Sequence, residues 1–296
     1  MSDSVVEDRI AGLPCWRAPV AIEPLAGGMT NRNFLVHDAA AGKFVVRAGR
    51  DLPEHGVMRF NELAAARAAF AAGISPEVVF ASDGFLVSRF IQSRTLEPAD
   101  ILDRSRLPAL LDLVHRCHED IPQFFRGPAL AFWVFQIVRN YLALLAQEPH
   151  SCLFSQLSRL RAIAVELEAA VGPVNLVFGH NDLLAANFLD DGTRLWLIDW
   201  DYAGFNSPLF DLANLSSNNH FDSTDDDALL DLYFRGRPDP ARRQAFEAMK
   251  CASLMRETFW GAVSELRSTI DFDYASYTRD YLQRLDTAWA LFKAGG

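Results

Sequence analysis

One stretch in the second half of the chain, GHNDLLAANFLDDGTRLWLIDWD, constrains the fold and the chemistry more than any other. Its first part holds His180, Asp182 and Asn187 in an H-x-D-x-x-x-x-N pattern. Its second part ends in Asp199 and Asp201, which follow an apolar run typical of a strand. Carboxylate and amide oxygens are the ligands that Mg²⁺ prefers, and a carboxylate beside the metal can accept the proton of a hydroxyl. Phosphoryl transfer needs this combination, because the protein's task there is mostly positioning and charge neutralisation.

A predicted hairpin brings the two parts of this stretch together. Residues 188–189 and 194–198 read as short strands around the turn sequence DDGT. Asp199 then emerges at a strand end, beside the loop that carries Asp182. The alternative is that these acids only cap and turn the chain, as Asp and Asn commonly do. That alternative is weakened because both groups of acids follow an apolar strand and one hairpin ties them together.

The composition is that of a globular protein with room for two lobes. The chain has 296 residues, of which 50% are hydrophobic and 22% are charged. No uninterrupted apolar stretch reaches about 18 residues, and the N-terminal sequence lacks a basic-then-apolar signal. We therefore expect no membrane span and a cytoplasmic location. The formal net charge of −10 disfavours nucleic-acid binding and is compatible with a small cationic substrate.

Cysteine and histidine give no metal motif in this sequence. The four cysteines are widely scattered and form no C-x-x-C, which indicates reduced thiols. His115 and His118 lie three residues apart on a predicted helix, without a carboxylate at metal spacing. We interpret these two histidines as packing or surface residues.

Residues 20–91 predict a unit of five strands and one helix. The strands are expected at 20–25, 34–37, 43–47, 76–80 and 84–91, and the helix at 56–72. Gly73 stands where a helix C-terminal glycine belongs. Residues 92–95 are polar and suit a hinge, and the chain beyond them is mostly helical. The sequence thus divides into an N-terminal lobe, 1–91, and a C-terminal lobe, 92–296.

Two features of the N-terminal lobe suit a nucleotide. Gly27 and Gly28 lie in the first turn, where backbone N–H groups can cover a phosphate. The alternative is an ordinary hairpin turn, since short glycine motifs have a high false-positive rate. Glu62, on the predicted helix, can pair with Arg47 on the third strand, as a helix glutamate and a strand lysine do in kinases. The alternative for Glu62 is a solvated helix acid.

These segments resemble a known family. GHNDLLAANF and LIDWDYAG are similar to the Brenner motif and the metal-binding motif of choline and ethanolamine kinases. Those enzymes belong to the aminoglycoside-phosphotransferase-like group of the protein-kinase-like fold. LAGGMTNRNFLV resembles the phosphate loop, FVVRAG the third strand, LVSRFIQSRTL the hinge, and FWGAVSEL the helix of the choline pocket. The resemblance covers most of the chain, from about Leu25 to Tyr281.

The resemblance implies a role for each matching position. Asp182 is the expected catalytic base, which also orients the substrate hydroxyl, and Asn187 and Asp199 are the expected Mg²⁺ ligands and complete the catalytic set. The expected ATP contacts lie in the N-terminal lobe and are Gly27, Gly28, Thr30, Asn31, Arg47, Glu62, Ser88 and Phe90. The expected substrate contacts are Asp182, Asp201, Trp260 and Tyr274. His180 and Asp211 are expected to support the catalytic loop.

The resemblance implies an α+β, two-lobed small-molecule kinase with ATP and Mg²⁺ as cofactors, and it leaves a homodimer open. The leading acceptor is choline or ethanolamine, and an aminoglycoside or another amino-alcohol such as thiamine is the alternative. The second tryptophan of the family's W-x-x-W is Val263 here, and Tyr274 or Tyr277 are candidates to replace its aromatic face. A catalytically silent nucleotide-binding regulator is a remoter alternative. A protein kinase is disfavoured, because the D-F-G pattern is absent.

Overall fold

A five-stranded antiparallel sheet forms the N-terminal part of the molecule, as predicted. The computed structural model describes residues 3–25 and 31–295. The strands of this sheet lie in the order β1-β2-β3-β5-β4. Their bounds are β1 (Val20–Leu25), β2 (Arg32–Asp38), β3 (Gly42–Ala48), β4 (Val78–Ser82) and β5 (Phe85–Arg89). Alternate residues of β2 and β3 are buried, which is the period expected when one face of a sheet covers a core.

The sheet is covered by a helix that the sequence reading missed. Helix α1 (Asp3–Ala11) places Val6 and Ile10, four residues apart, against Phe34 and Phe44 in a separate small core. The prediction of a single helix in this lobe is therefore wrong. The reason is that α1 has only two buried apolar side chains, too few for a clear helical period in the sequence.

Helix α2 (Arg59–Ala71) follows the first three strands in the sequence but packs with the C-terminal helices. Its alanine-rich face, which includes Ala65 and Ala69, is part of the large core formed by the C-terminal helices. Gly73 follows with a φ of 71°, as expected for a residue that ends a helix in the left-handed region. The helix thereby holds Glu62 against the C-terminal part while the sheet carries Arg47.

Five short strands form two further small sheets. Strand β6 (Arg94–Thr95) pairs with β8 (Phe188–Asp190), which pairs with β9 (Leu195–Leu197), so the predicted hairpin is present. Strand β7 (Val177–Gly179) pairs with β10 (Gly204–Asn206). The predicted hinge segment thus continues into the C-terminal sheet, and the lobe boundary after residue 91 stays a prediction.

Nine helices surround these strands in the described part of the chain. They are α3 (Pro98–Leu102), α4 (Leu107–Glu119), α5 (Ile121–Phe124), α6 (Val134–Leu145), α7 (Leu157–Val171), α8 (Pro208–Asn218), α9 (Ser223–Tyr233), α10 (Pro240–Arg267) and α11 (Tyr274–Gly295). Short 3₁₀ turns occupy Pro53–His55, Phe154–Gln156 and Ala185–Asn187. Helix α10 is 28 residues long and almost entirely buried from Ala245 to Ser264, so it is the central element of the helical part. Within 3–25 and 31–295, no helix combines the length and apolar character needed to cross a membrane.

Candidate active site

The stretch 179–201, called the catalytic stretch below, has a residue with positive φ near each of its ends. Asn181, directly after β7, has a φ of 66°, and Asp199, after β9, has a φ of 70°. Asn and Asp adopt this left-handed conformation more readily than other non-glycine residues. The Asn181 side chain donates to the carbonyls of Tyr202 at 3.0 Å and Gly204 at 3.2 Å. The two halves of the stretch are therefore held side by side.

Asp211 on α8 holds the loop before Asp182. Its carboxylate accepts the backbone N–H groups of His180 at 2.8 Å and Asn181 at 2.7 Å, and the Nε2–H of His118 at 2.9 Å. Burial opposes ionisation of Asp211, but these hydrogen bonds outweigh it and lower its pKa. These are the contacts that the bracing role predicted for Asp211 requires. His180 itself is buried and donates through Nε2 to the Ile198 carbonyl at 2.9 Å, which joins the loop to the end of β9.

Asp182 lies mostly buried beside a charged pair on α10. Its Oδ1 is 3.6 Å from Nη1 of Arg256, and that same nitrogen contacts Oε1 of Glu257. Burial raises the pKa of Asp182 to about 8, opposed by the positive charge of Arg256 and reinforced by the negative charge of Glu257. A carboxylate of raised basicity is a better proton acceptor for a substrate hydroxyl.

Asn187 and Asp199 offer the donor set of a hard cation. The Asn187 amide donates to the Asp182 carbonyl at 2.8 Å, which orients its side chain. Oδ1 of Asp199 is buried and accepts no hydrogen bond in the described residues, although Nη2 of Arg47 lies 2.9 Å away as an ion-pair partner. A carboxylate beside a carboxamide fits a Mg²⁺ ion, and a bound ion would take the place of Arg47 at Oδ1 of Asp199. No group of three or more His, Cys, Asp or Glu in the described ranges is arranged as a metal site, so phosphate oxygens would have to complete the coordination.

Arg47 stands at the centre of an ion-pair network between β3, α2 and the catalytic stretch. Its Nη1 donates to Oε1 of Glu62 at 2.7 Å and to Oδ1 of Asp201 at 2.6 Å. The pairing of Arg47 with Glu62 expected from the sequence is thus present. Arg59, which the sequence reading missed, joins Glu62 at 2.5 Å and the same oxygen of Asp201 at 2.8 Å.

Asp201 is placed differently from the substrate contact that we expected. Its side chain is 2% exposed, and its Oδ2 accepts from the Asn31 amide at 2.8 Å, so Asn31 also reaches this network. Burial opposes ionisation, but Arg47 and Arg59 outweigh it and lower the pKa of Asp201. In this structure Asp201 joins the two sides of the cleft, and a role in substrate binding would need these contacts to open.

Two further expected nucleotide contacts, Ser88 and Phe90, lie in and just after β5. Ser88 on β5 pairs with Val45 on β3. The Phe90 backbone N–H donates to the Lys43 carbonyl at 3.2 Å, close to the hinge segment. Gly27, Gly28 and Thr30 fall outside the described residues, so their predicted role as a phosphate loop stays a prediction.

The aromatic residues expected at the acceptor site form one cluster. Trp260 is buried on α10, donates through Nε1 to the Tyr202 hydroxyl at 2.9 Å, and lies edge-on to Tyr274 and Tyr277 at 5.8 and 5.4 Å between ring centroids. Val263 is 1% exposed, in the core. A cavity of about 330 Å³ reaches Trp260 from the solvent side. The cluster has a valine in place of a second tryptophan, and it is connected to Asp182 through Tyr202, which packs on Arg256.

Several residues that shape this site were missed in the sequence. They share long-range partners, all but Arg59 are buried, and they are Arg59, His118, Tyr202, Arg256 and Glu257. One signal was present for the last two, since Arg256 and Glu257 are charges within an otherwise buried helix. His118 was expected to pack or face solvent, and it instead connects Asp211 with the hydroxyl of Tyr233 at 2.7 Å.

Comparisons with known proteins agree with this arrangement. The family model of the phosphotransferase enzyme family (APH) matches residues 21–246. Protein LicA of Haemophilus influenzae is 28% identical over 277 residues, which cover 90% of this chain and 78% of LicA. The crystal structure of a choline/ethanolamine kinase family protein from Mesorhizobium loti is 28% identical, with a TM-score of 0.77 over 97% of this chain and 95% of that one. A structure of LicA in complex with AMP is 21% identical, with a TM-score of 0.79 over 99% of this chain and 100% of that one.

Proposed function

The chain belongs to the phosphotransferase enzyme family, and from this premise we propose that it transfers the γ-phosphoryl group of ATP to the hydroxyl of an amino-alcohol. The leading acceptors are choline and ethanolamine, as in the name of the Mesorhizobium loti relative. The observation that carries the proposal is the braced loop that sets Asp182, of raised basicity, beside Asp199 and an aromatic cluster. The acceptor is then a small hydroxyl compound with a cationic group, and the reaction takes place in the cytoplasm, where ATP is available.

In this proposal Asp182 orients the acceptor hydroxyl and accepts its proton as the bond to phosphorus forms. The loop before it is held by two backbone hydrogen bonds to Asp211, whose carboxylate is also fixed by His118, so the Asp182 carboxylate needs little reorganisation. Trp260 and Tyr274 supply aromatic surface for the cationic end of the acceptor.

The nucleotide is proposed to lie between the sheet and the hairpin β8–β9. Asn187 and Asp199 would hold Mg²⁺, which supplies charge neutralisation on the phosphates when it is bound. Arg47 makes planar contacts that suit phosphate oxygens, and Glu62 fixes its guanidinium at 2.7 Å. The AMP found in LicA supports a nucleotide site in this fold, and the backbone near Ser88 and Phe90 is the proposed adenine contact.

A phosphorylation screen with Mg-ATP over choline, ethanolamine, thiamine and kanamycin tests the proposal. We expect turnover of choline or ethanolamine above the other two alcohols. Turnover of kanamycin or thiamine alone would move the acceptor to the alternative classes.

An Asp182→Ala variant tests the catalytic role, with Asp231→Ala as the matched control, because Asp231 is an exposed acid on α9. We expect Asp182→Ala to lower kcat by about 10²- to 10⁴-fold with nucleotide binding retained. Binding of Mg-ATP without any phosphotransfer by the wild type would instead favour a silent regulator.

A further inference from the structure

Arg256 is a buried cation inside the proposed acceptor site. It lies on α10, one helical turn before Trp260, and is only 2% exposed. Arginine is rarely buried to this extent without a full set of partners. A positive charge beside Asp182 is unexpected in a site that receives a cationic acceptor.

One end of the guanidinium is fixed by its neighbours. Nη1 contacts Oε1 of Glu257 and lies 3.6 Å from Oδ1 of Asp182. The guanidinium carbon stands 4.1 Å from the ring centroid of Tyr202, whose hydroxyl is held by Trp260. The charge therefore has a defined place between the predicted base and the aromatic cluster.

The other edge of the guanidinium has no partner. Nε and Nη2 of Arg256 are buried and make no hydrogen bond to any residue in 3–25 or 31–295. Leaving a buried donor unsatisfied is costly, more so when it is charged. Nε–H and Nη2–H are parallel donors on one edge, and their spacing matches the two oxygens of a carboxylate.

We propose that this edge of Arg256 binds a carboxylate of the acceptor, so that the preferred substrate is an amino-alcohol that also carries a carboxylate, a hydroxy-amino acid. The inference rests on the proposed function and names its substrate class. This edge lies opposite Nη1, the nitrogen that faces Asp182, so the acceptor has to span the guanidinium for its hydroxyl to reach the base. The ammonium group of such an acceptor is balanced by Glu257, whose other oxygen accepts from the Tyr277 hydroxyl at 2.9 Å.

The fixed charge also explains which acceptors are disfavoured. An acceptor with only a cationic group meets a like charge beside the base and leaves the two donors unpaired. A carboxylated acceptor of the same length removes both penalties. The preference is therefore expected between matched pairs of alcohols that differ only in the carboxylate.

Steady-state phosphorylation of two such pairs by the wild-type protein tests the proposal. The pairs are ethanolamine with L-serine, and 3-aminopropan-1-ol with L-homoserine. We expect kcat/KM to be about 10- to 100-fold higher for the carboxylated member of at least one pair. Equal values, or higher values for the plain amino-alcohols, overturn this inference and leave the proposed kinase function intact. Failure to phosphorylate any alcohol overturns both.

Variants of Arg256 separate recognition from folding. Arg256→Met should reduce the preference, because kcat/KM is expected to fall further for the carboxylated acceptor than for the plain amino-alcohol, beyond the loss that both share from the changed charge beside Asp182. Arg256→Lys should restore it only in part, because a lysine lacks the planar pair of donors. Arg243→Met is the matched control, since Arg243 is an ion-paired residue nearer the start of α10. An equal loss for both members of a pair, with thermal stability and Mg-ADP affinity unchanged, overturns the inference.

Discussion

Arg47 on β3 and Asp201 after β9 are joined by a hydrogen bond of 2.6 Å between Nη1 and Oδ1, although 154 positions separate them in the chain. Arg59 binds the same oxygen of Asp201 from α2 at 2.8 Å. One carboxylate therefore ties the sheet, helix α2 and the catalytic stretch into a single charged network. This network holds the two sides of the cleft together, so its loss is expected to change both the free energy of unfolding and the geometry of the site.

Asp201→Asn is expected to destabilise the protein by about 3 kcal/mol, because it leaves two partly buried arginines with one fewer carboxylate. The free energy of unfolding from urea denaturation measures the change. Glu166→Gln is the control, since its ion pair with Lys293 joins half-exposed side chains and is worth less than about 1 kcal/mol. Similar losses for the two variants would show that the Asp201 network contributes no more than a surface pair.

Asp199→Asn is expected to abolish the effect of Mg²⁺ on nucleotide affinity. The wild type should bind ADP more tightly when Mg²⁺ is added, because the carboxylate of Asp199, which pairs with Arg47 in the structure, can coordinate the metal. Titration calorimetry with and without Mg²⁺ measures the difference. Asp231→Asn, an exposed acid on α9, should behave as the wild type. A variant that keeps the full Mg²⁺ effect would remove Asp199 from the metal site.

His55 should make stability fall as the pH drops below neutrality. Burial, with a smaller effect of Arg256, lowers the pKa of His55 to about 3, from an ordinary 6.5. The unfolded chain therefore binds a proton below pH 6.5 that the folded protein excludes, and stability is lost between pH 6.5 and about 3. At about 1.4 kcal/mol per pH unit, the loss between pH 6.5 and pH 5 is about 2 kcal/mol.

His55→Gln checks this assignment, because an amide can still bond the hydroxyls of Tyr141 at 2.9 Å and Ser264 at 3.2 Å. Urea denaturation at pH 5 and pH 7 should show a smaller pH dependence in this variant than in the wild type. The exposed His150→Gln should leave the wild-type dependence in place. An unchanged dependence in His55→Gln would assign the loss to another group.

Gly261→Ala is expected to destabilise the contact between α10 and α11. A Cβ atom at this position would lie 2.5 Å from Oγ1 of Thr278 and 2.9 Å from Cδ1 of Tyr277. The expected cost is about 1–3 kcal/mol in thermal or chemical denaturation, even though alanine favours the helix. Gly12→Ala is the control, because its Cβ would meet neighbours only at 3.6 Å. A stabilised Gly261→Ala protein would mean that α11 moves aside at no cost.

Most of the fold could be predicted because its signals are local. The alternation of β2 and β3, the turn sequence between β8 and β9, and the glycine after α2 each act within a few residues. The missed helix α1 shows the limit of such signals, since two buried side chains against a distant sheet decide its position. The packing of α2 with the C-terminal helices was equally out of reach, because an alanine-rich face does not indicate its partner.

The sequence by itself determined the catalytic stretch and its hairpin, because residue type, spacing and neighbouring turns specify them, whereas the pairing of Arg47 with Glu62 was predicted by analogy with kinases. Only the tertiary structure decided that Asp201 is held by Arg47 and Arg59, and that Arg256 lies beside Asp182 with one edge unpaired. Ion pairs between distant segments depend on how helices and sheets pack, and burial decides whether a charge must find a partner. An exposed arginine can bond water, whereas a buried one needs partners that the packing of distant segments supplies.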